Sequence, residues 1–199
     1  MTTQRFLLKG GKALGAASSD LLISDGRIEA ISKSISDETA TVIDLKGSVV
    51  LPGLVDLHTH LREPGREDSE TVASASRAGA KGGFTALSAM ANTSPVADTA
   101  GVVEQVYRLG QEAGYVDVFP IGAVTQGLKG EQLSEIGAMA DSVARVRVFS
   151  DDGNCVFDPL VMRRALEYIK KFDGVIAQHA QEPRLTVGSQ MNEGIISSK

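Results

Sequence analysis

The stretch Gly53–Gly65, GLVDLHTHLREPG, decides how the rest of the chain is read. It begins as an apolar strand and ends in a turn. Between the two stand His58 and His60, two of only three histidines in 199 residues, and Arg62 follows at once. Side chains alternate along a strand, so the two imidazoles point to the same side. An open α/β sheet that bound a dinucleotide would want a Gly-rich turn after this strand. HTHLREPG contains no G-x-G-x-x-G. A strand whose C-terminal end carries such groups suits the mouth of a (β/α)8 barrel, where active sites are built.

Downstream, the pattern alternates. FTALSAMAN (84–92), VDVFPIGAV (116–124), ARVRVFSDDG (144–153) and GVIAQHAQE (174–182) read as strands. SETVASASRAGAKGG (69–83), DTAGVVEQVYRLGQEAG (98–114), EQLSEIGAMADS (131–142) and DPLVMRRALEYIKKF (158–172) read as helices, with Gly at ends and Pro near one start. Strict β/α alternation predicts a parallel sheet with right-handed crossovers. Upstream, residues 1–53 hold short apolar stretches punctuated by Gly, Asp and Lys, with SDGR (24–27) as a hairpin turn. The expected architecture is α/β. A small N-terminal β-sandwich unit over 1–53 precedes a partial TIM barrel over 54–199, with about five of eight strands. Five strands do not close a barrel of eight, so the expectation is a fragment, or a chain completed by another. A compact α/β protein of this length is the competing reading.

The bulk composition excludes several classes. Net charge is -5 with no long basic run, which argues against nucleic-acid or anionic-membrane partners. The single cysteine, Cys155, allows no intrachain disulfide. The N-terminus lacks the apolar core of a signal peptide, and no apolar run is long enough to span a membrane. A cytoplasmic protein with a small-molecule substrate is expected.

The third histidine, His179, falls at the end of the fifth strand, where it can join His58 and His60. Core histidines satisfied by hydrogen bonds are the bland alternative. Asp151 and Asp152 end the fourth strand, and Asp-Asp-Gly is also ordinary turn chemistry. At a barrel mouth with three histidines, a carboxylate becomes a natural ligand for Zn²⁺ or a similar divalent ion. Two metals sharing a carboxylate would make a hydrolase. Arg62 offers a planar guanidinium for a substrate carboxylate, and Asn92 reaches the same mouth. A surface arginine and a turn asparagine are the alternatives. Cys155, with no base nearby in sequence, reads as structural.

GLVDLHTHLREPG, GGFTALSAMANTSPVAD, FSDDG and QHAQE together resemble the amidohydrolase superfamily and, within it, the type I dihydroorotases. The likeness runs along the whole chain and covers about the first half of a family member. It implies reversible cyclisation of N-carbamoyl-L-aspartate to L-dihydroorotate in de novo pyrimidine (UMP) biosynthesis. It implies one or two Zn²⁺ ions per subunit held by His58, His60, Asp152 and His179, with Asp152 rather than Asp151 as the bridge. Many amidohydrolases bridge with a carboxylated lysine, and no lysine lies near the end of the fourth strand here. His60, Arg62 and Asn92 would contact substrate. Ala91 stands where the family motif usually has Pro, which should cost loop rigidity but no ligand. The family's sixth-strand histidine and eighth-strand catalytic aspartate have no counterpart in these residues. No catalytic base is therefore assigned, and the chain by itself is expected to be inactive, with apolar surface exposed where further strands would pack. The resemblance also brings two partner readings, a homodimer and a complex with aspartate carbamoyltransferase. The competing functions are a related hydantoinase, dihydropyrimidinase or allantoinase, and a non-catalytic homologue supporting the carbamoyltransferase.

Overall fold

The computed structural model describes residues 4–198. Met1–Thr3 and Lys199, the outer ends of the two expected domains, lie outside the described residues. The chain divides into two compact units, residues 1–52 and 53–199.

The first unit is a mixed sheet of five short strands: β1 (Arg5–Ala13), β2 (Ser19–Ser24), β3 (Arg27–Ser32), β4 (Thr41–Asp44) and β5 (Val49–Val50). The path is β3-β2-β1-β4, and β5 pairs with the far end of β1. The β2–β3 hairpin turns at Asp25 and Gly26, both at positive φ (49° and 74°), which is why Asp-Gly stands there. Leu7, Leu21 and Leu22 are the buried leucines of the sheet, Leu7 and Leu22 on one face and Leu21 on the other. Asp20 is buried as well, and its carboxylate accepts from the Gly10 and Ile35 amides. The strands of this unit are connected through β1, whose far end pairs with β5, and Ile28, Ile31, Val42, Ile43 and Val49 are left exposed.

The second unit alternates as expected: β6 (Leu54–Thr59), α1 (Val72–Lys81), β7 (Phe84–Ala89), α2 (Ala100–Ala113), β8 (Asp117–Pro120), α3 (Ile136–Asp141), β9 (Val148–Phe149), α4 (Pro159–Ile169) and β10 (Val175–Ile176). β6, β7 and β8 pair in parallel, as do β9 and β10. A parallel bridge from Gly122 to Phe149 joins the two groups, so the strands follow one another in chain order. The helix ends follow their sequence signals. Thr71 caps α1 through the Ser74 amide, and Asp158 caps α4 through Leu160 and Val161. Gly114 closes α2 in the left-handed region.

Four elements are shorter than their sequence patterns. The backbone of 131–135 leaves the expected helix to hold the loop after β8. Gln132 O accepts from Gln126, while Ser134 bonds both Val124 and Ala123. α3 therefore starts only at Ile136. β8 ends at Pro120 because Gly122–Thr125 bends across to meet β9 and Asp151. β9 and β10 reduce to two residues each, as the chain turns directly into site loops.

The core of this unit lies between sheet and helices. Leu61, Val72, Leu87, Val106 and Val118 pack under α1 and α2, and Val103, Val124, Ile136, Met139, Phe149 and Ile169 pack under α3 and α4. β6 and β10 each pair on one side only, and Leu54, Val55, Leu57 and Val175 are exposed there. That is the open apolar edge expected of an unclosed set of strands.

The α2–β8 contact depends on Gly110, where an added Cβ would sit 2.5 Å from Val118 Cβ. Gly110→Ala is expected to destabilise by about 1–3 kcal/mol despite alanine's better helix propensity. Urea denaturation of Gly110→Ala, Val118→Gly and the double variant would show strong coupling between the sites. Simple additivity would mean that the helix shifts freely.

Candidate metal centre

Every residue of the candidate site stands at the C-terminal end of a strand of the second unit. His58 is the penultimate residue of β6, and His60 lies just past it. Their rings meet edge to face at 5.2 Å, as two side chains on one side of a strand should. Asn92, Asp152 and His179 each follow their strands by three residues. Ile176 pairs with Phe149, so Asp152 and His179 leave the sheet in register.

The four metal-ligand candidates come together on one carboxylate. His58 Nε2 lies 3.3 Å and His60 Nε2 3.5 Å from Asp152 Oδ2. His179 Nδ1 lies 3.1 Å from Oδ1. Two imidazoles thus face one oxygen and the third faces the other. The ligand atoms of His58, His60 and Asp152 lie within 4.8 Å of one another, close enough for one ion. Nitrogen and carboxylate donors at this spacing fit Zn²⁺ and similar borderline ions. The Asp152 side chain is 13% exposed. Partial burial pushes its carboxyl up, but the His179 hydrogen bond and the charges of His58 and His60 outweigh that and leave it below the usual range. His179 is raised, first by its bond to Gln181 and then by Asp152.

Two of these histidines have a partner on the other ring nitrogen. His60 Nδ1 is 2.9 Å from Asn92 Oδ1, and His179 Nε2 is 3.1 Å from Gln181 Oε1. Such outer contacts fix the tautomer and orientation of a ligand. Nothing in the sequence pattern pointed to Gln181. Its only signal is its place two residues past a strand-end histidine.

Arg62 sits in the loop after β6 with left-handed backbone (φ 64°). Among the described residues no carboxylate pairs with its side chain. The loops carrying Arg62 and Asn92 are zipped together. Ser94 N donates to Pro64 O, and a Cβ at Gly65 would lie 2.1 Å from the Ser94 carbonyl oxygen. Only glycine permits that approach. Ala91, in place of the family's proline, is fully buried, and its carbonyl accepts from Thr93 and Ala97.

Asp151 turns away from the histidines. It is 1% exposed, and its Oδ1 accepts from the Val124 and Thr125 amides at 2.7 and 3.0 Å. The Thr125 hydroxyl donates to Oδ2 and in turn accepts from Gly130 N. The adjacent aspartates thus divide the work: Asp151 ties the β8 loop to the β9 loop, and Asp152 faces the imidazoles. Cys155 is half-buried, and its sulfur receives a hydrogen bond from Gln178.

The dihydro-orotase-like family matches residues 47–199. Among curated relatives, a dihydroorotase from Leifsonia xyli subsp. xyli is 64% identical over 199 residues, covering 100% of this chain and 45% of the relative. One from Streptomyces coelicolor is 64% identical over 193 residues, covering 97% and 45%. One from Mycobacterium tuberculosis is 53% identical over 195 residues, again covering 97% and 45%. The chain therefore spans less than half the length of these relatives. Among solved structures, an L-hydantoinase (dihydropyrimidinase) from Arthrobacter aurescens has a TM-score of 0.75 at 22% identity, covering 94% of this chain and 43% of that one. A dihydropyrimidinase from Brevibacillus agri has a TM-score of 0.69 at 18% identity, covering 93% and 42%. These identities carry the fold alone.

Asp151 gives a test of the scaffold. Burial raises its carboxyl pKa above the ordinary value, against the pull of its Thr125 and Val124 hydrogen bonds. The folded state then holds the proton more tightly than the unfolded chain. The resulting stabilisation is complete below the unfolded pKa and is lost as pH rises through the folded one. Asp151→Asn is expected to cost about 1–3 kcal/mol, and Asp151→Ala more, because buried amides lose their acceptor. In urea titrations the gap between wild type and Asp151→Asn should narrow from about pH 4 upward. A gap that widens would mean the carboxylate is held as an anion.

Proposed function

The chain belongs to the dihydro-orotase-like family, and from that premise we propose that it serves the metal-dependent interconversion of N-carbamoyl-L-aspartate and L-dihydroorotate in pyrimidine biosynthesis. The observation that carries this reading is the convergence of His58, His60 and His179 on the two oxygens of Asp152. His58, His60 and Asp152 Oδ2 would hold one ion, and His179 with Asp152 Oδ1 a second. Zinc, as one or two ions, is the metal proposed. When bound, it lowers the pKa of a water and polarises a carbonyl.

The chain's own residues then have distinct tasks. Arg62, without a protein carboxylate, would pair with the carboxylate of the substrate. Asn92, locked beside it through the Gly65–Ser94 contact, would offer its amide hydrogens to the same anion. His60 contributes both to the metal set and to the substrate's surroundings. The proton shuttle of the reaction needs a general base, and no residue here is proposed for it. In this reading the second unit supplies the first five strands of a (β/α)8 barrel. The first unit supplies one layer of a β-sandwich, and the exposed Ile28, Ile31 and Ile43, which share a face by register, would face the other layer. The open edges at β6 and β10 would pair with further strands. The resemblance adds a homodimer or an aspartate carbamoyltransferase complex as partner proposals, which the mass of the native assembly would separate. No described helix is long and apolar enough to cross a membrane.

A hydantoinase or dihydropyrimidinase is the second reading, favoured by the solved structures of similar fold. Against it, no lysine occurs from Val148 to Phe157, where a carboxylated lysine bridge would stand.

The test is a substrate panel on the protein at its natural length, with zinc content measured in parallel. L-Dihydroorotate and N-carbamoyl-L-aspartate should turn over, while hydantoin, dihydrouracil and allantoin should not. Asp152→Asn should lower zinc affinity and turnover together, by about 100-fold or more. Turnover of hydantoin alone would reassign the substrate. A wild-type protein that binds no zinc would favour a supporting, non-catalytic role.

A further inference from the structure

The contact between Asn92 and His60 points to a task for Asn92 other than substrate binding. The two ends of a primary amide differ: the oxygen only accepts and the nitrogen only donates. Asn92 turns its oxygen to His60, 2.9 Å from Nδ1. Nδ1 must therefore carry the proton. In a neutral imidazole that leaves the lone pair on Nε2, the atom that faces Asp152 Oδ2 at 3.5 Å. His60 lies in the loop after β6 and Asn92 in the loop after β7, so the bond also ties these loops at the site. The amide nitrogen is not spent on this contact. A Cβ built on Gly153 would lie 3.9 Å from Asn92 Nδ2, so that end faces the loop that carries Asp152.

We infer that Asn92 is a positioning residue for His60: its side-chain oxygen selects the imidazole tautomer that can ligate a metal through Nε2. This rests on the metal-centre reading above and adds a second task to the substrate contact proposed for the same side chain. The two ends of one amide then serve both, with the oxygen on His60 and the NH2 left for an anion.

The two tasks separate under substitution. Asn92→Asp keeps an acceptor for Nδ1–H but presents negative charge to a substrate carboxylate. Asn92→Ala removes both functions. Zinc affinity, measured by chelator competition on the protein at its natural length, needs no turnover. Asn92→Ala should weaken zinc binding by about 10–100-fold. Asn92→Asp should bind zinc at least as tightly as wild type, because a carboxylate is the stronger acceptor. The same Asn92→Asp variant should show a raised KM for dihydroorotate. Unchanged zinc affinity in Asn92→Ala would overturn the inference whatever happens to KM, and so would equal weakening in both variants. Should Asn92→Ala not fold, nitrogen-15 NMR of the zinc-loaded wild type decides. His60 bound through Nε2 with a protonated Nδ1 supports the inference, and binding through Nδ1 overturns it. If the zinc pattern holds but wild type turns over no dihydroorotate, the positioning role stands and the proposed function falls.

Discussion

The site turns on one carboxylate held among three imidazoles. Asp152 sits at 3.1–3.5 Å from ring nitrogens that come from β6 and from the end of β10. Those elements are more than a hundred residues apart in the chain. Burying most of a carboxylate is costly unless the groups around it are held in place to satisfy it. Three of the four members are held. Asn92 holds His60, Gln181 holds His179, and the Ser150 hydroxyl accepts from the Asp152 amide. His58 is the exposed member of the set, at 53%, and has the least support.

Behind that cluster stands a second carboxylate with the opposite character. Asp151 is sealed from water and spends its oxygens on backbone amides and a hydroxyl. The two aspartates open the turn after β9, where the Asn154 amide donates to the Asp151 carbonyl, and while Asp151 is anchored inward to the β8 loop, Asp152 faces the imidazoles. The Gly65–Ser94 approach does similar work for Arg62 and Asn92, since it fixes the spacing of two loops with no side chain between them. Rigid supports of this kind are what a ligand set requires to keep its geometry.

Much of this was legible in the sequence because it depends on period and position. Alternation places His58 and His60 together, and the strand–helix rhythm places Asp152 and His179 at equivalent strand ends. Asp-Gly at 25–26 marks the hairpin, and Pro159 and Gly114 mark helix ends. The hidden part depends on contacts between distant loops. EQLSEIGAMADS has the periodicity of a longer helix, but the amides and carbonyls of 131–135 are drawn away by the β8 loop. VDVFPIGAV has the composition of a longer strand, yet Val124 and Thr125 leave it for the Asp151 carboxylate. The family resemblance already favours Asp152 over Asp151 as the ligand candidate. Only packing shows what Asp151 does instead, and only packing turns Asn92 toward an imidazole.

Fold and substrate are carried by different parts of the molecule. The hydantoinase with a TM-score of 0.75 shares the backbone path at 22% identity, whereas proteins named dihydroorotase match at 64%. A parallel sheet with helices outside it can present strand-end ligands for many reactions, so backbone likeness does not choose among cyclic amides. The choice must lie in what surrounds the ligands. Here that is a guanidinium with no carboxylate partner among the described residues, an asparagine in the adjoining loop, and an aspartate among three imidazoles. An aspartate reaches less far than a lysine, so the β9 loop must bring its backbone close to the imidazoles. The two-residue β9 and the Asp151 anchor do that. The position of the Asp152 carboxylate is therefore written into the length of a strand and the burial of its neighbour.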